Sequence, residues 1–172
     1  MSEAERNVPV SLAERRILSP LFQTIYDEGM GLVEQAAAYL DGEGRVEAKT
    51  LSRDVAMLYA AESMRLTTRL MQIASWLLLQ RAANSGEMTR DQVSAEKAKV
   101  RLDTASACNE APLFAHLPLA FRDLVQRSLS LQSRVRRMDD EIYGLGASNK
   151  MLRANDNPVS EQILLLKTAF AS

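Results

Sequence analysis

Apolar residues recur every three or four positions along three long stretches of the chain, which is the spacing of amphipathic helices. The first stretch begins at Ser19-Pro20, where serine caps the free amides and proline lacks an amide that would be unpaired. The pattern predicts a helix from Pro20 to about Leu40, followed by a stop and flexible turn in DGEGR, residues 41–45. Two further long helices are predicted over residues 52–83, with Ser52 as N-cap, and about 118–143.

The connection between the second and last long helices has weaker signals. Thr89 and Gln92 form a capping-box pattern that predicts a short polar helix within residues 88–101. Pro112 and Pro118 then favour a mostly irregular linker. We therefore predict an all-α protein: an antiparallel three-helix bundle with long helices and a partly irregular connection.

The bundle domain is predicted to span residues 19–146, between two flexible ends. Residues 1–18 are polar without a sustained period and predict a flexible arm. Residues 147–172 predict a flexible tail with a short amphipathic segment, in which Ile163, Leu166 and Phe170 follow helical spacing. This segment either docks on its own bundle or serves as a tethered peptide for another protein.

The second long helix is apolar on two opposite sides. One side is a normal core stripe, made of Val55, Tyr59, Leu66, Leu70, Ile73 and Leu77. The other side has residues spaced by seven, Met57, Met64, Met71 and Leu78, which we call the methionine seam. Small and short polar residues flank the seam: Ala60, Thr67, Thr68 and Ser75.

A helix in a three-helix core meets its two neighbours across adjacent faces, so an opposite apolar face needs another cover. That cover is either the segment 88–116 or a second copy of the chain. We favour the second copy, and the sequence then predicts a homodimer in which the methionine seam meets its symmetry mate.

Only a narrow arc of this helix remains polar, with Glu62, Arg65, Arg69 and Gln80 among its members. Trp76, the only tryptophan, projects into it. Either the segment 88–116 covers Trp76, or Trp76 is an exposed anchor, since Trp and Arg dominate interface energetics. The second alternative makes Arg65, Arg69 and Trp76 a candidate partner surface.

Charge and motifs exclude several function classes. With 21 basic and 22 acidic residues, the net charge of −1 offers no field to gather nucleic acid or anionic lipid. The longest apolar run is far shorter than the ~20 residues of a membrane span. One cysteine and one histidine, Cys108 and His116, cannot build a disulfide or a zinc site. Without a phosphate loop, GxSxG or HExxH motif, we expect no catalytic residue, cofactor or metal, and a cytoplasmic location.

Three segments carry a family resemblance: DEGMGLVEQAAAYLDGEGR, YAAESMRLTTRLMQIASWLLLQRA followed by GEMT, and LPLAFRDLVQRSLSLQSRVRRMDDEIYG. Over about residues 19–146 the chain resembles the bacterial family of regulators of CtrA degradation, while the first 18 and last 26 residues fall outside the resemblance.

The resemblance implies a small dimeric helical bundle that is a non-enzymatic adaptor for the ClpXP protease and helps to deliver cell-cycle regulatory proteins. It also implies a response-regulator adaptor and a cyclic-di-GMP effector as partners, and recruitment to a cell pole. The alternatives are a helical dimeric scaffold or interaction protein in another cytoplasmic pathway and, less favoured, a DNA-associated regulator.

Overall fold

The computed structural model describes residues 20–106 and 112–144. Within these ranges it contains helices and no strands, which confirms the all-α class. The α-helices are α1 (Pro20–Asp41), α2 (Glu43–Ala48), α3 (Arg53–Asn84), α4 (Arg90–Lys97) and α5 (Leu119–Asp139). A 3-10 helix (Pro112–His116) precedes α5, and a π-helix (Asp140–Gly144) follows it. None of the described helices is long and apolar enough to span a bilayer.

The short helix α2 replaces the flexible turn that DGEGR predicted. The helical conformation is interrupted only at Gly42, whose amide donates to the Ala38 carbonyl at 3.0 Å. The chain becomes helical again at the next residue. The Tyr39 hydroxyl donates to Glu47 Oε2 at 2.6 Å and ties α2 to α1. A Cβ on the buried Gly44 would lie 2.6 Å from the Tyr59 hydroxyl, so the tight packing of α2 depends on this glycine.

Helix α1 runs antiparallel to both other long helices. Near its start, the Tyr26 hydroxyl accepts a hydrogen bond at 2.7 Å from Arg81, which lies near the end of α3. Arg127 of α5 donates to Gln35 Oε1 at 2.9 Å, and Tyr39, closer to the end of α1, stacks on Phe121, closer to the start of α5. In these contacts, a residue near the start of α1 meets one near the end of α3, and positions that rise along α1 meet positions that fall along α5.

Helices α3 and α5 run in the same direction, which departs from the expected antiparallel bundle. The rings of Tyr59 and Phe121, both near helix starts, have centroids 4.6 Å apart. Further along both helices, Arg69 donates to Ser128 Oγ at 2.8 Å. The reason is the long connection: it returns beside α3 to the end where α3 begins, so α5 starts at that same end.

The core lies between these three helices and includes the whole predicted stripe of α3. Gly29 of α1 is buried, and a Cβ there would meet Leu77 Cδ1 at 2.5 Å, so α1 and α3 cross closely at this glycine. The other helices add buried apolar side chains, among them Phe22, Ile25, Leu32 and Ala36 of α1 and Leu124, Val125, Leu131 and Val135 of α5. The chain divides into two units after Arg137, and the described residues of the second, Met138–Gly144, end α5 and form the π-helix.

Candidate functional site

The methionine seam lies on the solvent side of α3. Met57, Met64, Met71 and Leu78 are 66%, 72%, 66% and 51% exposed, whereas the core stripe on the opposite side is buried. From Met57 to Leu78 the rise of 1.5 Å per residue gives an apolar ridge about 30 Å long. None of the described residues covers this ridge, and such contiguous apolar surface typically marks an interaction site.

Short polar residues beside the seam have their hydroxyls occupied within the helix. Ser75 Oγ donates to the Met71 carbonyl at 2.8 Å, and Thr67 Oγ1 donates to the Ser63 carbonyl at 2.9 Å. A partner that packs against these residues therefore does not strand their hydroxyls without a hydrogen bond. The flanks of the seam thus permit close approach at little desolvation cost.

All eight predicted interface residues are exposed, namely Met57, Ala60, Met64, Thr67, Thr68, Met71, Ser75 and Leu78. They share one face of α3, so the structure brings them together as one surface. The homodimer stays a prediction, because the structure describes a single chain.

Several residues of the polar arc of α3 are buried, which corrects the candidate partner surface predicted from the sequence. Glu62, Arg69, Trp76 and Gln80 are all fully buried. Of the candidate partner surface formed by Arg65, Arg69 and Trp76, only the Arg65 side chain remains accessible, at 45% exposure. In this folded state Arg69 and Trp76 are therefore not accessible to a partner.

The segment that connects α3 to α5 contributes to the burial of this polar arc. Residues 100–106 have no regular secondary structure and run along α3 in the reverse direction; we call them the strap. Arg69 Nε donates to the Thr104 carbonyl at 3.1 Å, and a terminal nitrogen of the same guanidinium donates to the Ala105 carbonyl at 3.0 Å. The other terminal nitrogen donates to Ser128 Oγ, so Arg69 joins the strap to α5.

Two further side chains of α3 accept hydrogen bonds from the strap. Ser106 Oγ donates to Glu62 Oε2 at 2.7 Å, while Arg65 donates to the other carboxylate oxygen at 2.6 Å. Thr104 Oγ1 donates to Gln72 Oε1 at 2.7 Å. The alternative in which the 88–116 segment covers α3 is therefore correct for the polar arc, although its described residues leave the methionine seam open.

A sequence signal for this buried arc existed. Glu62, Arg69 and Trp76 are spaced by seven, like the methionine seam, and they include the largest side chain of the chain. Charged residues on a helix usually face water, so the pattern alone did not predict that they would be buried.

Among the described residues, Tyr39, Tyr59 and Glu28 have shifted pKa values. Burial raises the pKa of Tyr59, and burial together with the hydrogen bond to Glu47 raises that of Tyr39, which keeps both hydroxyls protonated. A hydrogen bond from Arg134 lowers the pKa of Glu28 against an opposing effect of burial. In the described part of the chain, no three His, Cys, Asp or Glu side chains group closely enough to hold a metal ion.

Other sequence-derived candidates are separate from this surface or outside the described residues. His116 is exposed on the 3-10 helix. Cys108 and the tail residues Ile163, Leu166 and Phe170 lie outside the described residues.

The chain is similar to a known protein family and to a solved structure. The family model described as "Protein of unknown function (DUF1465)" matches residues 13–170. This range is wider than the 19–146 over which we saw the resemblance, so it includes most of the tail and corrects that limit.

A solved structure is also similar: the crystal structure of RcdA from Caulobacter crescentus CB15. It is 50% identical to this chain with a TM-score of 0.57, and the match covers 73% of this chain and 92% of that chain. A search of curated protein sequences gives no match.

Proposed function

The chain belongs to the RcdA family of regulators of CtrA degradation, and we propose that it is a non-enzymatic adaptor that delivers cell-cycle regulatory proteins to the ClpXP protease by tethering. Family membership supports the pathway in this proposal. The exposed methionine seam supports the physical means, because it is a surface available to protein partners.

An adaptor of this kind lowers no chemical barrier. It holds a cargo protein near a processive protease and so raises the effective concentration of the cargo, without a new active site. The protease partner consumes the ATP. The response-regulator adaptor and the cyclic-di-GMP effector named by the family resemblance belong to this proposal as further partners of the same assembly.

The proposed resting state is a homodimer built on the methionine seam. A two-fold axis beside α3 would bring the same apolar ridge of two chains together. Methionine side chains are unbranched and polarizable, so the seam is adaptable enough to pack against more than one partner. We propose that self-association and cargo binding compete for the seam, with cargo converting dimers into adaptor–cargo complexes. A dimer that keeps its mass when saturated with cargo would contradict this competition.

Reconstituted degradation tests the adaptor role. ClpXP with ATP and a candidate cell-cycle substrate is assayed with and without this protein, and we expect the protein to accelerate loss of the substrate. The Met64→Glu/Met71→Glu variant should change the rate at which ClpXP degrades the substrate, because it places charge in the centre of the seam.

Leu119→Glu is the matched control for this variant, since Leu119 is 74% exposed but lies on α5 rather than on the seam. Equal degradation rates with and without the wild-type chain, over a range of substrates and with the named partner proteins present, would reject the adaptor role.

We also propose that the tail contributes a contact to cargo or to the bundle through Ile163, Leu166 and Phe170. Removal of residues 147–172 should then alter delivery while the helical content measured by circular dichroism persists. Unchanged delivery would eliminate this contribution.

A dimeric scaffold in another pathway is the second candidate, because the same exposed seam supports it equally well. Co-purification distinguishes the two functions: an adaptor retains protease components, whereas the scaffold retains other proteins in their place.

A further inference from the structure

The side chain of Arg69 binds main-chain atoms of the strap. Its guanidinium donates to two consecutive carbonyls, at 3.1 Å to Thr104 and 3.0 Å to Ala105, and it is fully buried. Every residue type supplies a carbonyl, so these two hydrogen bonds recognise the main chain and not a particular side chain. The planar fork of the guanidinium fixes the direction and register of that backbone.

Side-chain selection comes from the two acceptors on either side of Arg69. Glu62 accepts from Ser106 Oγ and Gln72 from Thr104 Oγ1, both at 2.7 Å. The two hydroxyl residues are two positions apart, and both hydroxyls donate to side chains of α3. Between them Ala105 is exposed, so the middle position sets no side-chain requirement.

The geometry points to a peptide-binding groove on α3, formed by Glu62, Arg69 and Gln72 and filled in cis by residues 104–106 of the same chain. We propose that this groove accepts, in exchange for the strap, a segment of a partner protein with the pattern Ser/Thr-x-Ser/Thr. This surface borders the methionine seam, because Gln72 and Val100 line one cavity together with Met71. The inference does not depend on the adaptor role.

The energetics favour exchange over simple opening. An empty groove would leave a buried guanidinium and a buried carboxylate without these strap contacts, and loss of partners from buried charged groups is strongly destabilising. A second segment with the same backbone conformation restores the same contacts, so the net free-energy difference between the two occupied states is small. The strap itself contributes no large fully buried apolar side chain, because Val100 and Leu102 are only partly buried. Its advantage over a peptide in trans is therefore mainly its high effective concentration.

The experiment uses the full chain and a blocked, fluorescent peptide with the strap sequence, acetyl-VRLDTAS-amide. Binding is followed by fluorescence anisotropy against the wild type and the Thr104→Val/Ser106→Ala variant, which lacks both cis hydroxyls. The variant should bind the peptide about tenfold more tightly than the wild type, the size expected when a competing contact loses one or two hydrogen bonds. The matched peptide acetyl-VRLDVAA-amide should bind the variant at least tenfold more weakly.

Ser130→Ala/Ser133→Ala is the control variant, since it removes two exposed hydroxyls of α5 outside the groove. Its affinity for the strap peptide should equal that of the wild type. Equal affinity of the folded variant and the wild type, or equal binding of the two peptides, would overturn the proposal.

Hydrogen exchange on the unmodified chain keeps the test valid if the variant fails to fold. Saturating peptide should speed amide exchange in residues 100–106, because the strap leaves the groove. Bound peptide with unchanged exchange in those residues, or no binding at millimolar peptide, would equally refute the groove.

Discussion

At the residue scale, Gly29 is a position where a single added methyl group should destabilise the fold. A Cβ at Gly29 would lie 2.5 Å from the buried Leu77, with Leu131 and Ile73 also within 4 Å. Gly29→Ala should lower the free energy of unfolding by about 1–3 kcal/mol, because overpacking outweighs the gain of up to about 1 kcal/mol in helix propensity. Gly31→Ala in the same helix meets nothing within 4 Å and should stabilise instead. Urea unfolding measures both, and stabilisation by both substitutions would contradict the close crossing.

The ion pair between Glu28 and Arg134 makes a pH-dependent contribution to stability. The hydrogen bond from Arg134 lowers the pKa of Glu28 below its ordinary value of 4.5 in the folded state. Its contribution is therefore complete above about pH 4.5 and disappears as the pH falls through the lowered value. Both side chains are 36% exposed, so solvent screening limits the contribution to about 1 kcal/mol or less.

Glu28→Gln should consequently cost more stability at pH 7 than near pH 2, as measured by thermal unfolding at both values. Glu34→Gln, an exposed change in the same helix, is the reference. A loss for Glu28→Gln that is the same at both pH values would show that the pair is not the cause.

At the element scale, α4 depends on its cap. This helix has eight residues, too few for independent stability in water. Thr89 Oγ1 accepts from the Gln92 amide at 3.3 Å, and Gln92 Oε1 accepts from the Thr89 amide at 2.9 Å. Thr89→Ala should weaken α4 by about 1 kcal/mol and speed amide exchange in residues 90–97, while Ser94→Ala, an exposed change within the helix, should not. Equal exchange in both variants would mean that packing alone holds α4.

The two apolar sides of α3 and its polar arc differ in how far the sequence predicted them. The core stripe and the position of Met64 on the opposite side both follow from helical spacing, which requires only local geometry. Arg69 and Glu62 are buried and bond to the strap, which lies 35 and 44 residues further along the chain, respectively. No periodicity within α3 contains that information, so Arg69 was wrongly placed on a candidate partner surface.

At the scale of the whole molecule, the boundaries of the long helices were predictable but their directions were not. Local signals such as Pro20 at the start of α1 and Ser52 before α3 mark where helices begin. Direction depends on the connection between α3 and α5, which is long enough to permit either orientation. The contacts of Arg69 and Glu62 with the strap show that it returns along α3, so α5 runs parallel to α3.

The methionine seam is the feature on which the account of the whole molecule depends, because it is the exposed apolar surface proposed to meet a second chain. Sedimentation equilibrium of the wild type over a wide concentration range tests it directly. The account predicts a particle of twice 19.1 kDa that dissociates to 19.1 kDa on dilution. It also predicts that Met64→Glu/Met71→Glu remains at the lower mass, whereas Leu119→Glu behaves as the wild type. A wild-type chain that stays at 19.1 kDa at every concentration, or a seam variant that still dimerises, would contradict the claim.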